Sequence, residues 1–299
     1  MGVRTKIEIK KINELIKRTN IKLVKIENTI DGISDTTYIG YDNNNIKYIF
    51  KIYEFATKNE VINEINILNS LKELPITKAI TKKEDIKLYQ NKPTALFKFL
   101  EGKSPQNITK DMISEIGKFL GKFHSQAQEL KSINENIYSQ IELKNYFENI
   151  RNSNVEKTIL KKFEDKYNEV KDLDLSNDGI IHGDLFPDNA KFTYNKLSGV
   201  FDFIEACNGN FSFDLSVVIN SWCFDSDYKL NDKFFHIILE SYNKYSPNQF
   251  EQKDIIKYMK YACLFYAMQR YNTKYVEKRD VDVKDYNEYL IKFNNMFKL

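Results

Sequence analysis

Histidine and cysteine are scarce in this 299-residue chain, which has three of each. Cys207, Cys223 and Cys263 are widely spaced and odd in number, which excludes a disulfide framework and a cysteine zinc site. Three histidines exclude a histidine-rich metal centre. An excess of one charge is also lacking. Lys plus Arg total 45 and Asp plus Glu 42, and the net +3 is too small and too dispersed for a nucleic-acid groove. No apolar run reaches membrane-spanning length, and residues 1–8 carry no apolar core of a secretory signal. Lys6 stands where a myristoylation signal requires Ser or Thr. Neither a G-x-G-x-x-G run nor a Walker A stretch occurs. These absences leave a reduced, soluble, cytoplasmic protein with no membrane or nucleic-acid partner, and they fix no oligomeric state. At 42% hydrophobic and 29% charged residues, the chain has the composition of an ordinary globular enzyme with ample core.

The first hundred residues alternate short β-like runs with one helix. Leu23–Ile30 and Thr36–Tyr41 flank a loop, and Asn43–Asn45 turns the chain into Ile46–Glu54. On that last run Ile49, Lys51 and Tyr53 share one face. Val61, Ile65, Leu68 and Leu71 recur at helical spacing within Lys58–Leu74. Ile86–Gln90 and Thr94–Leu100 follow, ending at Glu101-Gly102. Such a unit resembles a small nucleotide lobe. From Asn107 the pattern is mostly helical, with one helix starting near Thr109 and a long helical stretch over Lys144–Val170. A hairpin is expected at Ala190–Tyr194 and Val200–Ile204, joined by a turn at Asn195–Gly199. Helices then run from Asp214 to the end, with a break near Pro247.

The most informative residues are His182, Asp184 and Asn189 in the pattern H-x-D-x-x-x-x-N, followed by Asp202 between Phe201 and Phe203. Kinases use this spacing to move the terminal phosphoryl group of ATP. Asp184 can take the proton of an attacking hydroxyl, while Asn189 and Asp202 offer hard oxygens to Mg²⁺. A carboxylate between two phenylalanines has no place in an ordinary core strand, because burying an unpaired charge costs about as much as a domain's whole stability. The bland reading is a loop in which Asp184 and Asn189 cap turns. His182 reads as structural. Lys51 is either an edge residue with its stem on apolar surface or a phosphate ligand, and Glu64 on the following helix, ahead of Glu60, is its expected partner. Gly32 and Ser34, beside Asp35, could place backbone amides over phosphates or form a plain hairpin loop. By order in the chain, Lys98 and Leu100 would offer main-chain groups to adenine. His124 reads as a satisfied core histidine. Asp214 is either a helix N-cap or an anchor for the 182–189 loop. Arg270, one of only five arginines, follows an apolar helix and suits a fixed carboxylate, from a substrate or from the chain itself.

Together these residues resemble the aminoglycoside/choline-kinase-like phosphotransferases, relatives of protein kinases that phosphorylate small alcohols. Gly183 follows the histidine where protein kinases carry arginine. The dozen residues from Asp202 to Asp214 leave no room for a protein-kinase activation segment. Within that family the stretch from Ile181 to Asp225 is most similar to the homoserine kinases, through His182–Asn189, Leu197–Phe203, Ala206–Asn208, Phe213–Leu215 and Asn220–Phe224. Phe265 stands where a second arginine is expected. The resemblance implies an α+β, protein-kinase-like, two-lobed fold. Its N-lobe, residues 1–102, would hold a five-stranded antiparallel sheet plus a helix, and its C-lobe, residues 103–299, would be mainly helical. It implies ATP and Mg²⁺ as cofactors and L-homoserine as hydroxyl acceptor, on the way to threonine. Arg270 is then expected at the acceptor's carboxylate, with Glu205, Asn208 and Trp222 in its pocket. Other small-alcohol kinases, acting on choline, an aminoglycoside or a sugar-derived alcohol, and a non-catalytic nucleotide-binding module are the alternatives.

Overall fold

Alternation of side chains sets the N-terminal sheet. The computed structural model describes residues 4–29, 35–279 and 284–296. It begins with a short helix, α1 (Ile9–Leu15), that the apolar pattern had not suggested. Then come β1 (Leu23–Asn28), β2 (Thr36–Asp42), β3 (Lys47–Ile52), α2 (Lys58–Ser70), β4 (Lys87–Tyr89) and β5 (Lys92–Lys98). The five strands form one antiparallel sheet in the order β1-β2-β3-β5-β4. Phe50, Ile52 and Leu96 pack on one face with Ile12 and Ile16 of the N-terminal helix region. Tyr53, Ala95 and Phe97 join α2, through Val61, Ile65 and Leu68, in the main core. Lys51 therefore lies on the α2 side. Thr57 and Glu60 cap α2 reciprocally, which accounts for Glu60 and removes it as a partner for Lys51.

The C-terminal part is helical around two small β elements. Helix α3 (Lys110–Ala127) starts from Thr109, whose hydroxyl accepts from Met112. The single helix expected over Lys144–Val170 is two, α4 (Gln140–Arg151) and α5 (Lys157–Val170). Strand β6 (Gly179–Ile181) leads into the 182–189 loop, and β7 (Ala190–Thr193) and β8 (Lys196–Val200) form the hairpin. Its turn is Tyr194-Asn195, both left-handed (φ 49° and 64°), the geometry of a two-residue hairpin turn. The second strand thus ends at Val200, and Asp202 lies in a loop beyond it rather than on a strand. Strand β9 (Cys207–Gly209) pairs antiparallel with β6. It is followed by α6 (Phe211–Trp222), α7 (Asp232–Asn243), α8 (Gln252–Tyr271) and α9 (Asn287–Asn295). Twelve residues of α8 are buried. No described helix is long and apolar enough to cross a membrane.

Candidate active site

The segment from His182 to Asn189 is held in place by residues distant in sequence. Asp214, fully buried on α6, accepts the amides of His182 (2.9 Å) and Gly183 (2.8 Å) and the Nε2–H of His124 (2.9 Å). Asn210 caps that helix instead, so the anchoring alternative for Asp214 holds. His124 also meets the Tyr242 hydroxyl at 2.7 Å and stacks on Phe211, the satisfied core histidine expected. The Tyr266 hydroxyl donates to the Gly183 carbonyl. The His182 ring donates from Nε2 to the Phe201 carbonyl (3.1 Å) and accepts the Asp184 amide at Nδ1 (3.3 Å), a neutral structural arrangement. Burial depresses its pKa, which favours that neutral form.

Gly183 has a geometric reason to be glycine. Its φ is +75°, and a Cβ there would fall 2.2 Å from Cε2 of Tyr138. The Tyr138 hydroxyl donates to Glu205 at 2.7 Å, so one aromatic residue ties the loop to the segment after Asp202.

Two expected pocket residues are structural instead. Trp222 is 1% exposed and its indole N–H donates to the Leu185 carbonyl at 2.9 Å, from beneath the loop. Asn208 faces the 132 region, donating to the Ser132 carbonyl at 2.8 Å. Both follow from packing: α6 is buried nearly all round, and pairing of β9 with β6 sends Asn208 away from the loop. Trp222→Phe should leave the Leu185 carbonyl buried without a donor, at a cost of about 1–3 kcal/mol. Urea unfolding should show that loss together with a lower kcat; unchanged stability would mean that the indole bond contributes nothing.

Asp184 with Asn189 and Asp202 with Lys51 form two pairs that meet: the Phe201 amide donates to the Asn189 carbonyl at 3.1 Å, and the Asp202 charge acts on Asp184. Asn189 Nδ2 donates to the Asp184 carboxylate (2.9 Å) and carbonyl (2.7 Å), which leaves its Oδ1 available to accept or to ligate. Asp202 is left-handed (φ 68°), a conformation Asp tolerates better than most residues, and its carboxylate accepts Lys51 Nζ at 2.8 Å. Sheet and helical part meet through this pair. Lys51 has a second carboxylate, Asp35 at 2.9 Å, which no local sequence pattern connects to it. Asp35 also accepts the Glu54 amide at 2.9 Å.

Glu64 does not bond Lys51 directly. It accepts the Tyr53 hydroxyl and the Phe203 amide (3.1 Å), which places it behind the ion pair while still acting on Lys51 through its charge. The two aspartates reach the ammonium first, which is why the expected lysine–glutamate contact is absent. Burial alone would lower the Lys51 pKa, but Asp202, Asp35 and Glu64 outweigh it and hold the group charged. Asp202 is correspondingly held below its ordinary value by Lys51 despite burial. At Asp184, burial and then the charges of Glu205, Asp202 and Asp188 push the carboxyl well above 3.8. Negative charge accumulates here beyond what Lys51 offsets. Two hard oxygens, from Asn189 and Asp202, beside such a surplus suit Mg²⁺, which completes its shell with phosphate and water.

Lys98 donates its amide to the Lys78 carbonyl at 2.9 Å and is not free to donate elsewhere, whereas the Leu100 amide makes no hydrogen bond among the described residues. Gly32 and Ser34 lie outside the described residues.

Arg270 has an internal partner. Its NH1 meets Glu288 at 3.0 Å and the Asp285 carbonyl at 3.1 Å, and its guanidinium lies 4.4 Å from the Tyr289 ring centroid. It also lines a cavity of ≈ 320 Å³ that reaches Phe186 and Asp188 of the loop. Tyr266, one helical turn earlier on α8, is the residue touching Gly183. Phe265, where an arginine was expected, is buried among Tyr138, Phe213 and Tyr261.

Comparison with known proteins places these features among relatives. The family model described as a phosphotransferase enzyme family matches residues 26–247. The chain is 27% identical over 257 residues to a homoserine kinase of Bartonella henselae, covering 83% of this chain and 80% of that one. It is 32% identical over 160 residues to a homoserine kinase of Afipia carboxidovorans, covering 52% of this chain and 49% of that one. Among solved structures, a choline kinase from Streptococcus pneumoniae superposes with a TM-score of 0.68 at 17% identity, over 97% of this chain and 99% of that one. An amicoumacin kinase in complex with AMP-PNP, Ca²⁺ and Ami gives 0.68 at 13% identity, over 96% and 92%. At such identities the structural likeness shows the fold, α+β and protein-kinase-like.

Proposed function

The chain belongs to the phosphotransferase enzyme family, and from that premise we propose that it transfers the terminal phosphoryl group of ATP, with Mg²⁺, to the hydroxyl of L-homoserine. That it is an enzyme phosphorylating an alcohol follows from the family; nucleotide, metal and acceptor are the proposal. The carrying observation is the convergence of Asp184, Asn189, Asp202 and Lys51 from two parts of the fold. Residues 1–102 are read as the nucleotide lobe and 103–299 as the catalytic and acceptor lobe.

In this reading Asp184 orients the acceptor hydroxyl and takes its proton. Its neighbours fix it: Asn189 holds one carboxylate oxygen, and the bonds to His182, Gly183 and Leu185 keep the loop still. Lys51, held charged by Asp202 and Asp35, steadies the nucleotide's phosphates. Asn189 Oδ1 and Asp202 would hold Mg²⁺, which when bound neutralises charge on the phosphoryl oxygens. Most of the acceleration then comes from positioning and charge neutralisation. The relatives named homoserine kinase support the acceptor. The cavity supports it as well: its three cations, Arg270, Lys284 and Lys292, outnumber its two anions, Asp188 and Glu288. A net positive lining disfavours a polycationic aminoglycoside, and ≈ 320 Å³ is near the small end of ligand pockets, about 300–1,000 Å³.

An ADP-release assay over L-homoserine, serine, choline, ethanolamine, kanamycin and a ribose derivative tests this. L-Homoserine should give the highest kcat/KM. Turnover of choline or kanamycin without homoserine would defeat the acceptor assignment and its place before threonine, and leave phosphoryl transfer standing.

A further inference from the structure

Most of the charges around the acceptor cavity are already paired, and the pairing isolates the ones that are not. Glu288 gives one oxygen to Arg270 (3.0 Å) and the other to Lys292 (2.7 Å). Lys292, 5% exposed, also donates to the Asn220 carbonyl at 3.0 Å. Two shielded cations on one carboxylate leave a surplus positive charge beneath the cavity. Removing that surplus from water is costly unless an anion answers it. At the rim stand two exposed groups of opposite sign, Lys284 and Asp188. Neither makes an ion pair among the described residues. Lys284 Nζ lies 6.0 Å from the Phe186 ring centroid, on the loop that carries Asp188.

Asp188 is fixed by its backbone rather than its side chain. It sits in the single turn Pro187–Asn189, and its carbonyl accepts the Ser104 hydroxyl at 3.1 Å. Four residues from Asp184, it is close enough for its charge to act on that carboxyl. Left to water, two rim charges would be ordinary solvated groups. What distinguishes them is a cavity of amino-acid scale between them, with the positive surplus on the lysine side and the proton acceptor near the aspartate.

We propose that Lys284 and Asp188 are the specificity residues for a zwitterionic acceptor, Lys284 binding its α-carboxylate and Asp188 its α-ammonium. The Arg270–Glu288–Lys292 group beneath them is a positioning scaffold that adds positive potential, so Arg270 supports carboxylate binding without being its principal contact. This deepens the homoserine reading and rests on it. The site would favour a small α-amino acid bearing a hydroxyl over an alcohol lacking either charge.

Two analogues separate the charges. 4-Hydroxybutanoate is homoserine without its amine, and 3-aminopropan-1-ol is homoserine without its carboxylate. For Lys284→Met, KM for homoserine and 4-hydroxybutanoate should rise by about tenfold, the loss of one charged hydrogen bond, while 3-aminopropan-1-ol changes by less than about twofold. Asp188→Asn should give the mirror image, raising KM for homoserine and 3-aminopropan-1-ol only. Lys284→Arg should restore most of the affinity. Both positions are exposed, so the melting temperature should not fall and KM for ATP should stay near the wild-type value, which confirms folded enzyme. Homoserine turnover with variants that treat all three acceptors alike overturns the pairing alone. A wild type that uses a neutral or polycationic alcohol and none of these three overturns the acceptor reading, and the pairing with it.

Discussion

Asp184→Asn should lower kcat by about 10²–10⁴-fold, the range a positioned general base supplies, with nucleotide affinity almost unchanged. Asn keeps the size of the side chain and can still accept the Asn189 amide, so the loop needs no rearrangement. What it loses is the ability to take a proton. The same substitution removes one negative charge from the neighbourhood of Glu205, Asp202 and Asp188, whose charges already push the Asp184 carboxyl upward. The variant should therefore be at least as stable as the wild type, the signature of a site that gives up stability for chemistry. Nucleotide affinity by calorimetry, kcat by ADP release and a melting curve decide it. Near-normal kcat would remove Asp184 from the reaction. A large loss of nucleotide affinity would place it at the phosphates instead.

The parts of this site that were legible in the sequence are those contiguous in the chain or periodic along it. His182, Asp184 and Asn189 fall within eight residues, and their chemistry can be read from residue type and spacing. Lys51 is legible because alternation along β3 and into the residue after it puts Ile49, Lys51 and Tyr53 on one face. Contacts closed by tertiary packing were not legible. Asp35, just before β2, meets Lys51 on β3, and Tyr138 reaches Glu205 over 67 positions. Nothing local marks either pair.

Proximity in sequence also misled. Asn208 and Trp222 follow the motif closely and have the look of pocket residues, yet strand pairing and a buried helix turn both inward as supports. The hairpin was misplaced because Asn195 to Gly199 is rich in turn formers. The tighter Tyr194-Asn195 turn prevails because it lets Lys196–Val200 pair with Ala190–Thr193. The shift has a functional consequence: it frees Asp202 from the ladder, so that a left-handed backbone can aim its carboxylate at Lys51.

Asp214→Asn is the substitution expected to damage the fold most. The carboxylate is fully buried and accepts three hydrogen bonds, two of them from consecutive loop amides and one from His124. An amide side chain presents one oxygen and one NH₂ to those three donors, so at least one donor faces another donor. Breaking a buried charge network in this way costs about 3–5 kcal/mol, a large share of the 5–15 kcal/mol typical of a domain. Catalysis should fall as well, because the amide of Gly183, one residue before Asp184, would lose the partner that fixes it.

Acid distinguishes this electrostatic origin from simple misfit. Burial raises the Asp214 pKa, but His124, His182 and the loop amide outweigh it and hold the folded value below 3.8. A depressed carboxyl contributes stability that is complete above its unfolded value and lost as pH falls through the folded one. The wild-type advantage over Asp214→Asn, measured by urea unfolding at fixed temperature, should not shrink between neutral pH and about pH 5 and should narrow only below about pH 4. A gap that closes between pH 7 and pH 5 would mean that Asp214 binds a proton in that range and does not hold the loop as a carboxylate.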